Sequence, residues 1–178
     1  KGSYMISGSW FSRVGADIID RIKTDVTQKW TPMNLSNLSV SGVETTLNYQ
    51  TVDNDHFIQK INLSGTFLYQ VKYKTPQEVV LSRYAADNLR YQFSLNTDFR
   101  LWSKMGLSIN TRYFERFTLV KNYESYYKGI VADSRIYWRE NKFLVYFQTN
   151  NLTAKKYVES NGITMPGRWM AIGMNVRF

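Results

Sequence analysis

The stretch Arg168-Trp169-Met170-Ala171-Ile172-Gly173-Met174-Asn175-Val176-Arg177-Phe178 decides how this chain folds. Met170, Ile172, Met174, Val176 and Phe178 are apolar, whereas Trp169, Ala171, Gly173, Asn175 and Arg177 between them are polar, small or amphipathic. A period of two puts the two sets on opposite faces of a β-strand. The apolar row continues to the last residue. Chain ends in water usually fray, whereas an outer-membrane β-barrel faces the apolar row of its last strand toward lipid. An ordinary strand of a soluble sheet is the competing reading, and the rest of the chain has to separate the two.

Composition narrows the choice. The 178 residues suffice for one all-β domain. They include 13 Tyr, 10 Phe and 5 Trp, yet mean hydropathy is −0.39. No run approaches the ~20 apolar residues of a transmembrane helix. A barrel wall escapes that test because half of each strand faces water. With no cysteine there is no disulfide framework and no thiolate metal site. Lysine and arginine number 23 against 14 acids, a net charge of +9. These cations are scattered, so the pattern is no nucleic-acid footprint. It suits a solvated surface or contact with anionic lipopolysaccharide. No signal peptide precedes the strand-like sequence from Tyr4, so the chain is expected to start after processing or within a larger protein.

Eight strands are expected. The first runs from Tyr4 through Trp10 and past an irregularity at Gly15 to Lys23, and a loop over Thr24–Leu35 follows. The second covers Leu38–Tyr49, where a parity change at Ser41-Gly42 resembles a β-bulge. The third sets Ile61, Leu63, Gly65, Phe67, Tyr69, Val71 and Tyr73 against Asn62, Ser64, Thr66, Gln70 and Lys72, with Leu68 out of phase. The fourth sets Tyr91, Phe93, Leu95, Phe99 and Leu101 against Gln92, Ser94, Asn96, Asp98 and Arg100. The fifth runs from Leu107 to Leu119, the sixth from Ile130 to Arg139 and the seventh from Phe143 to Leu152. The connections alternate long and short, which is the habit of outer-membrane barrels with short periplasmic turns and long outer loops. Trp10, Tyr49, Tyr73, Trp102, Trp138 and Trp169 near strand ends suit interfacial girdles.

Catalytic and metal chemistry find little support. His56 is the single histidine, in a turn with Asp53 and Asp55, and a solvated turn explains it better than a metal site. No serine, histidine and acid are brought together by the pattern, and Gly-rich phosphate loops are absent. The chain is therefore read as no enzyme, with no cofactor. Asp98, Arg100, Arg112, Arg116, Asp133 and Arg135 on the polar faces suit cross-strand pairing in a lumen.

Asn151-Leu152-Thr153-Ala154-Lys155-Lys156-Tyr157 resembles the N-L-F-(N/D)-K-x-Y stretch of TonB-dependent outer-membrane receptors, with Thr153 where the family usually carries Phe. Pro166-Gly167-Arg168 and a last strand ending in Phe178 follow, as in that family. Trp10–Asp20, then Gly42-Val43-Glu44, then Tyr113-Phe114-Glu115-Arg116 are similar to its earlier landmarks in the same order. The resemblance implies that residues 1–178 are the C-terminal portion of a 22-strand barrel, about eight strands of it. The N-terminal plug and the other strands lie outside this chain.

It further implies a Gram-negative outer-membrane importer of a scarce nutrient, cobalamin or a ferric siderophore being favoured. Phe178 would be the C-terminal barrel-assembly signal. The partners implied are the remaining barrel and plug, the TonB complex through the plug, outer-membrane lipid and lipopolysaccharide, and a surface lipoprotein. On this reading the first and last strands are not hydrogen-bonded to each other. Strand count alone instead suits a closed eight-strand barrel with a structural or adhesion role, and a soluble ligand-binding β-barrel is the third reading.

Ligand contacts would come from the long loops. Tyr123, Tyr126 and Tyr127, flanked by Lys121 and Lys128, are the first candidates, because rigid rings beside cations suit an anionic or chelate ligand. Arg83 and Tyr84 are the second. Anchoring of the loop in the lipopolysaccharide interface is the alternative role for the tyrosines.

Overall fold

The computed structural model describes residues 2–25, 27–52, 56–72, 81–82, 89–116, 125–159 and 163–177, with backbone alone for 35–37, 71–72 and 81–82. They form one antiparallel sheet of nine strands: β1 (Gly2–Lys23), β2 (Thr31–Thr51), β3 (Ile58–Lys72), β4 (Leu81–Ser82), β5 (Leu89–Arg100), β6 (Met105–Arg116), β7 (Lys128–Arg139), β8 (Phe143–Asn150) and β9 (Trp169–Val176). The order across the sheet is β4-β1-β2-β3-β5-β6-β7-β8-β9. The eight expected strands are present, joined by the two-residue β4, which pairs with Ile22 and Lys23. The sheet is open: β1 and β9 lie on opposite sides of it and do not pair.

Directly opposed residues share a face, so the register fixes the two surfaces. Ile6, Leu47, Leu63, Leu95, Thr111 and Ala132 form one row across six strands. Phe99, Leu107, Ile136, Phe147 and Ile172 form another. The expected apolar sets of separate strands thus fall in phase into one surface. That surface has no cover among the described residues: Ile6 is 77% exposed, Leu95 43% and Ile172 79%. Its rings pack on one another instead, Phe93 lying 5.2 Å from Phe67 edge-on and 6.5 Å from Tyr113 in a stack.

β1 and β2 continue as a two-stranded ribbon beyond the level at which β5, β6 and β7 end, down to Ile22 opposite Thr31. The expected loop over Thr24–Leu35 is therefore short, and Thr31–Leu35 is strand. Ile22, fully buried against Met33 and Leu38, gives the ribbon a small core of its own. The alternation of long and short connections accordingly starts only after β3. The chain leaves helical and extended norms at Asp17 (φ 52°), not at Gly15. The register passes it unchanged, from Ala16 opposite Asn37 to Ile18 opposite Leu35.

No bulge occurs at Ser41-Gly42, where pairing runs evenly through Ser12–Ser41 and Phe11–Gly42. Gly42 lies between Phe11 and Leu68 in one cross-strand row. A Cβ there would come within 2.6 Å of both side chains, so the missing side chain is the space they fill. Leu68, out of phase with its neighbours, has its reason here. The register does shift between Ile58 and Lys60 and between Leu89 and Tyr91, and β6 ends at Arg116, with Phe117 and Leu119 outside the described residues.

Candidate functional site

The second face of the sheet is built from amides, hydroxyls and charges. Asn48, Asn62, Asn96, Asn110 and Asp133 stand directly opposite one another on five successive strands of the sheet. Asn62 Nδ2 donates to Asn48 Oδ1 at 2.5 Å, and Asn96 Nδ2 donates to Asn62 Oδ1 at 3.2 Å. Each amide has two donors and two lone pairs, so every rung keeps hydrogen-bonding capacity for water or a polar solute. Beside the ladder a recess of about 220 Å³ is lined by Asp98, Ser108, Asn110, Asp133, Arg135 and Gln148, among others. Arg135 donates to Gln148 Oε1 through Nε (3.1 Å) and Nη2 (2.6 Å), and its guanidinium lies 4.6 Å from the centre of the Tyr146 ring. Gln148 in turn donates to Asn150 Oδ1 at 2.7 Å, while Asn150 Nδ2 is buried with no partner among the described residues.

The expected pairing of charges across strands takes other forms. Asp133 accepts from the Asn151 backbone N–H at 2.7 Å. Arg112 binds Glu159 at 2.7 Å, a residue of the segment after β8. One cross-strand ion pair among the described residues is Arg90 with Glu115, at 3.0 Å.

That segment is held by a group of hydrogen bonds centred on Asn151. Asn151 leaves β8 with φ 52°, a conformation Asn tolerates better than most residues. Its side chain donates to the Lys155 and Pro166 carbonyls at 2.9 and 3.1 Å, and it accepts from Lys155 N–H and Thr153 Oγ1, each at 3.0 Å. Arg168 donates to the Leu152 carbonyl, with Nη2 at 2.5 Å and Nε at 3.1 Å. Asn151, Lys155, Pro166 and Arg168, all quoted in the receptor-like motif, thus belong to one knot that turns the chain back over the sheet.

The returning strap seats Tyr157 against Phe114, with ring centres 5.4 Å apart, in a buried cluster with Val131. Arg112 sits beside both rings, 5.7 Å from Phe114 and 5.6 Å from Tyr157, and its Nη2 donates to the Tyr157 hydroxyl at 3.4 Å. Burial, reinforced by the Glu159 carboxylate, raises the Tyr157 phenol above its ordinary value, so it stays protonated at neutral pH. The strap is further joined to the turn that precedes β7, Val158 N–H donating to the Tyr126 carbonyl at 3.0 Å.

Of the loop candidates for ligand contact, Tyr123, Arg83 and Tyr84 lie outside the described residues, as does Phe178. Tyr127 is buried, at 5% exposure, and Tyr126 is half-buried; the Arg116 N–H donates to the Tyr127 carbonyl at 2.8 Å. The Tyr127 ring is thus packed inside rather than offered to solvent. His56 is exposed, and its backbone carbonyl accepts from Gln59 Nε2; Asp53 and Asp55 lie outside the described residues. Among the described residues no three His, Cys, Asp or Glu side chains come together as metal ligands would. The asparagine ladder has no counterpart in the sequence reading, and the strap appears there only as the receptor-like motif. Asn48, Asn62, Asn96 and Asn110 all sit in the polar phase of their strands, but only the pairing register puts them level. No family model, curated protein or solved structure matches the chain.

Proposed function

We propose that this chain is a section of the wall of an outer-membrane β-barrel, belonging to an active importer of the TonB-dependent kind. One observation carries the membrane reading: a single exposed apolar face spans eight strands and backs onto a face of amides, hydroxyls and charges. A soluble monomer rarely leaves so large an apolar surface in water, whereas a barrel wall needs lipid outside and polar groups inside. Among the described residues the outer edge of β9 carries no strand, and that of β1 carries only the two-residue β4 at Ile22 and Lys23. This favours further strands on both sides over a closed eight-strand barrel, because open edges are not left within lipid.

The importer reading rests on the receptor-like motifs, and the tight knot around Asn151 gives those residues a common physical purpose. Cobalamin or a ferric siderophore is the favoured cargo, with plug and remaining strands supplied outside residues 1–178. The TonB complex would act through the plug. Purification from native membranes by a tag on this chain tests the whole proposal. It should fractionate with the outer membrane and bring the plug-bearing portion with it, visible by intact mass. Recovery from the soluble fraction without lipid would sink it.

A further inference from the structure

The end of the sheet that carries the turn at 101–104 and the turn at 140–142 repeats one arrangement. β5 ends in Arg100, β7 in Arg139, and Arg177 follows directly on β9. Each is locked by the same backbone bond to a neighbouring turn: Arg100 N–H to Phe57 O at 2.8 Å, Arg139 N–H to Lys104 O at 2.8 Å and Arg177 N–H to Lys142 O at 2.7 Å. All three continue the polar phase of their strands, so they form a basic rim along that face.

The rim is hollowed at Arg139. A recess of about 260 Å³ is lined by Arg139, Lys142, Asn175 and Arg177 together with Glu140 and other residues. A second, of about 240 Å³, is lined by Arg139, Arg100 and Lys104 among others. Glu140 is the one carboxylate lining either recess among the described residues, and Lys104 Nζ holds it at 2.6 Å. Arg139, Lys142 and Arg177 form no ion pair with a described residue. Arg139 instead lies over the Tyr137 ring, 5.4 Å from its centre, which orients the guanidinium without neutralising it. Tyr137 is itself held flat over Gly106, where a Cβ would collide with the ring.

We infer that this recess is a binding site for a phosphate group, with Arg139 and Arg177 as the two guanidinium forks, Lys142 as a point charge and the Asn175 amide as a neutral donor. Arginine forks match the oxygens of a phosphate in bidentate fashion. Two sources carry that chemistry, free inorganic phosphate and the headgroup of an anionic phospholipid. The site depends on the rim alone and does not require the importer reading.

The test uses the full chain in zwitterionic detergent micelles. Inorganic phosphate is titrated calorimetrically in one arm. In the other, phosphatidylglycerol is titrated into the micelles, with phosphatidylcholine as the reference lipid. Saturable binding in the first arm identifies a free-phosphate site, and binding in the second arm alone identifies a headgroup site. The double variant Arg139→Gln/Arg177→Gln should weaken either by about tenfold or more, the effect of losing charge-assisted bonds. Lys29→Gln/Lys156→Gln removes the same charge from two exposed residues at the opposite end and should leave binding within about twofold. No saturable binding in either arm overturns the inference, and so does an equal loss in both double variants. If the first double variant does not accumulate, Arg177→Gln alone gives the same comparison, because its side chain has no described partner and its backbone bond is kept.

Discussion

The Asn151 backbone N–H donates to Asp133 Oδ1 at 2.7 Å, tying the exit of β8 to the polar face of β7. The knot it starts is expected to hold the strap and not the sheet. Asn151→Ala removes the side-chain bonds and strains a residue at φ 52°, at a cost of about 1–3 kcal/mol. Hydrogen exchange at 152–158 should then accelerate strongly while β5–β7 amides keep their protection. Asn151→Gly relieves the strain and loses the side chain, so its strap should loosen nearly as much. Uniform acceleration across the sheet would refute this division.

The two faces of β3 and β5 should respond in opposite ways to charge. Phe67→Arg and Leu95→Arg place a cation on the apolar face and are expected to cost about 2–4 kcal/mol each in a bilayer. Ser64→Arg and Ser94→Arg lie on the polar face, directly opposite each other, and each alone should assemble normally. Asn96 is a poorer control, since it donates to Asn62. Insertion into lipid vesicles, read by protease protection, checks the pair of outcomes.

Filling the space at Gly42 should be destabilising in a way that a second change repairs. Gly42→Val drives two methyl groups into Phe11 and Leu68, an overpacking of about 1–3 kcal/mol. Phe11→Ala in the same chain should recover much of that loss. Denaturant midpoints of the single and double variants measure the coupling.

Glu140 should titrate below the ordinary carboxylate range, held there chiefly by its hydrogen bond from Lys104. A carboxyl lowered in the folded chain adds stability above its unfolded value, and that contribution disappears as pH falls through the folded value. The contact lies at the surface, so its loss in acid should appear as local shifts in the turn at 140–142 and not as unfolding. Lys104→Ala should bring the Glu140 titration, followed by carbonyl NMR, back toward the ordinary value.

The strands were legible in the sequence because each has a two-residue period, from Ile61–Tyr69 on β3 to Met170–Val176 on β9. Their phase agreement between strands followed from the same pattern. The parity change near Gly42 misled because Leu38 and Val40 are apolar residues on the otherwise polar face. Leu38 is drawn there by Ile22 in the core of the ribbon, a contact that periodicity within one strand cannot reveal. The strap was visible only as a motif. Tyr157 looks like any loop tyrosine until Phe114 and Val131, distant in sequence, are placed beneath it. Tyr127 drew attention as a surface ring for the converse reason: aromatic content alone does not tell a packed ring from an offered one.

The asparagine row has a consequence for how the chain finds its arrangement. β2, β3, β5 and β6 each contribute one asparagine at the same level. Sliding β3 along β2 by a two-residue step keeps every apolar side chain on its own face, so segregation of the faces hardly resists that error. It does, however, remove Asn62 from Asn48 and set it opposite Thr46 or Gln50. The row therefore works as an index mark, rejecting misthreaded neighbours that greasy matching alone would accept.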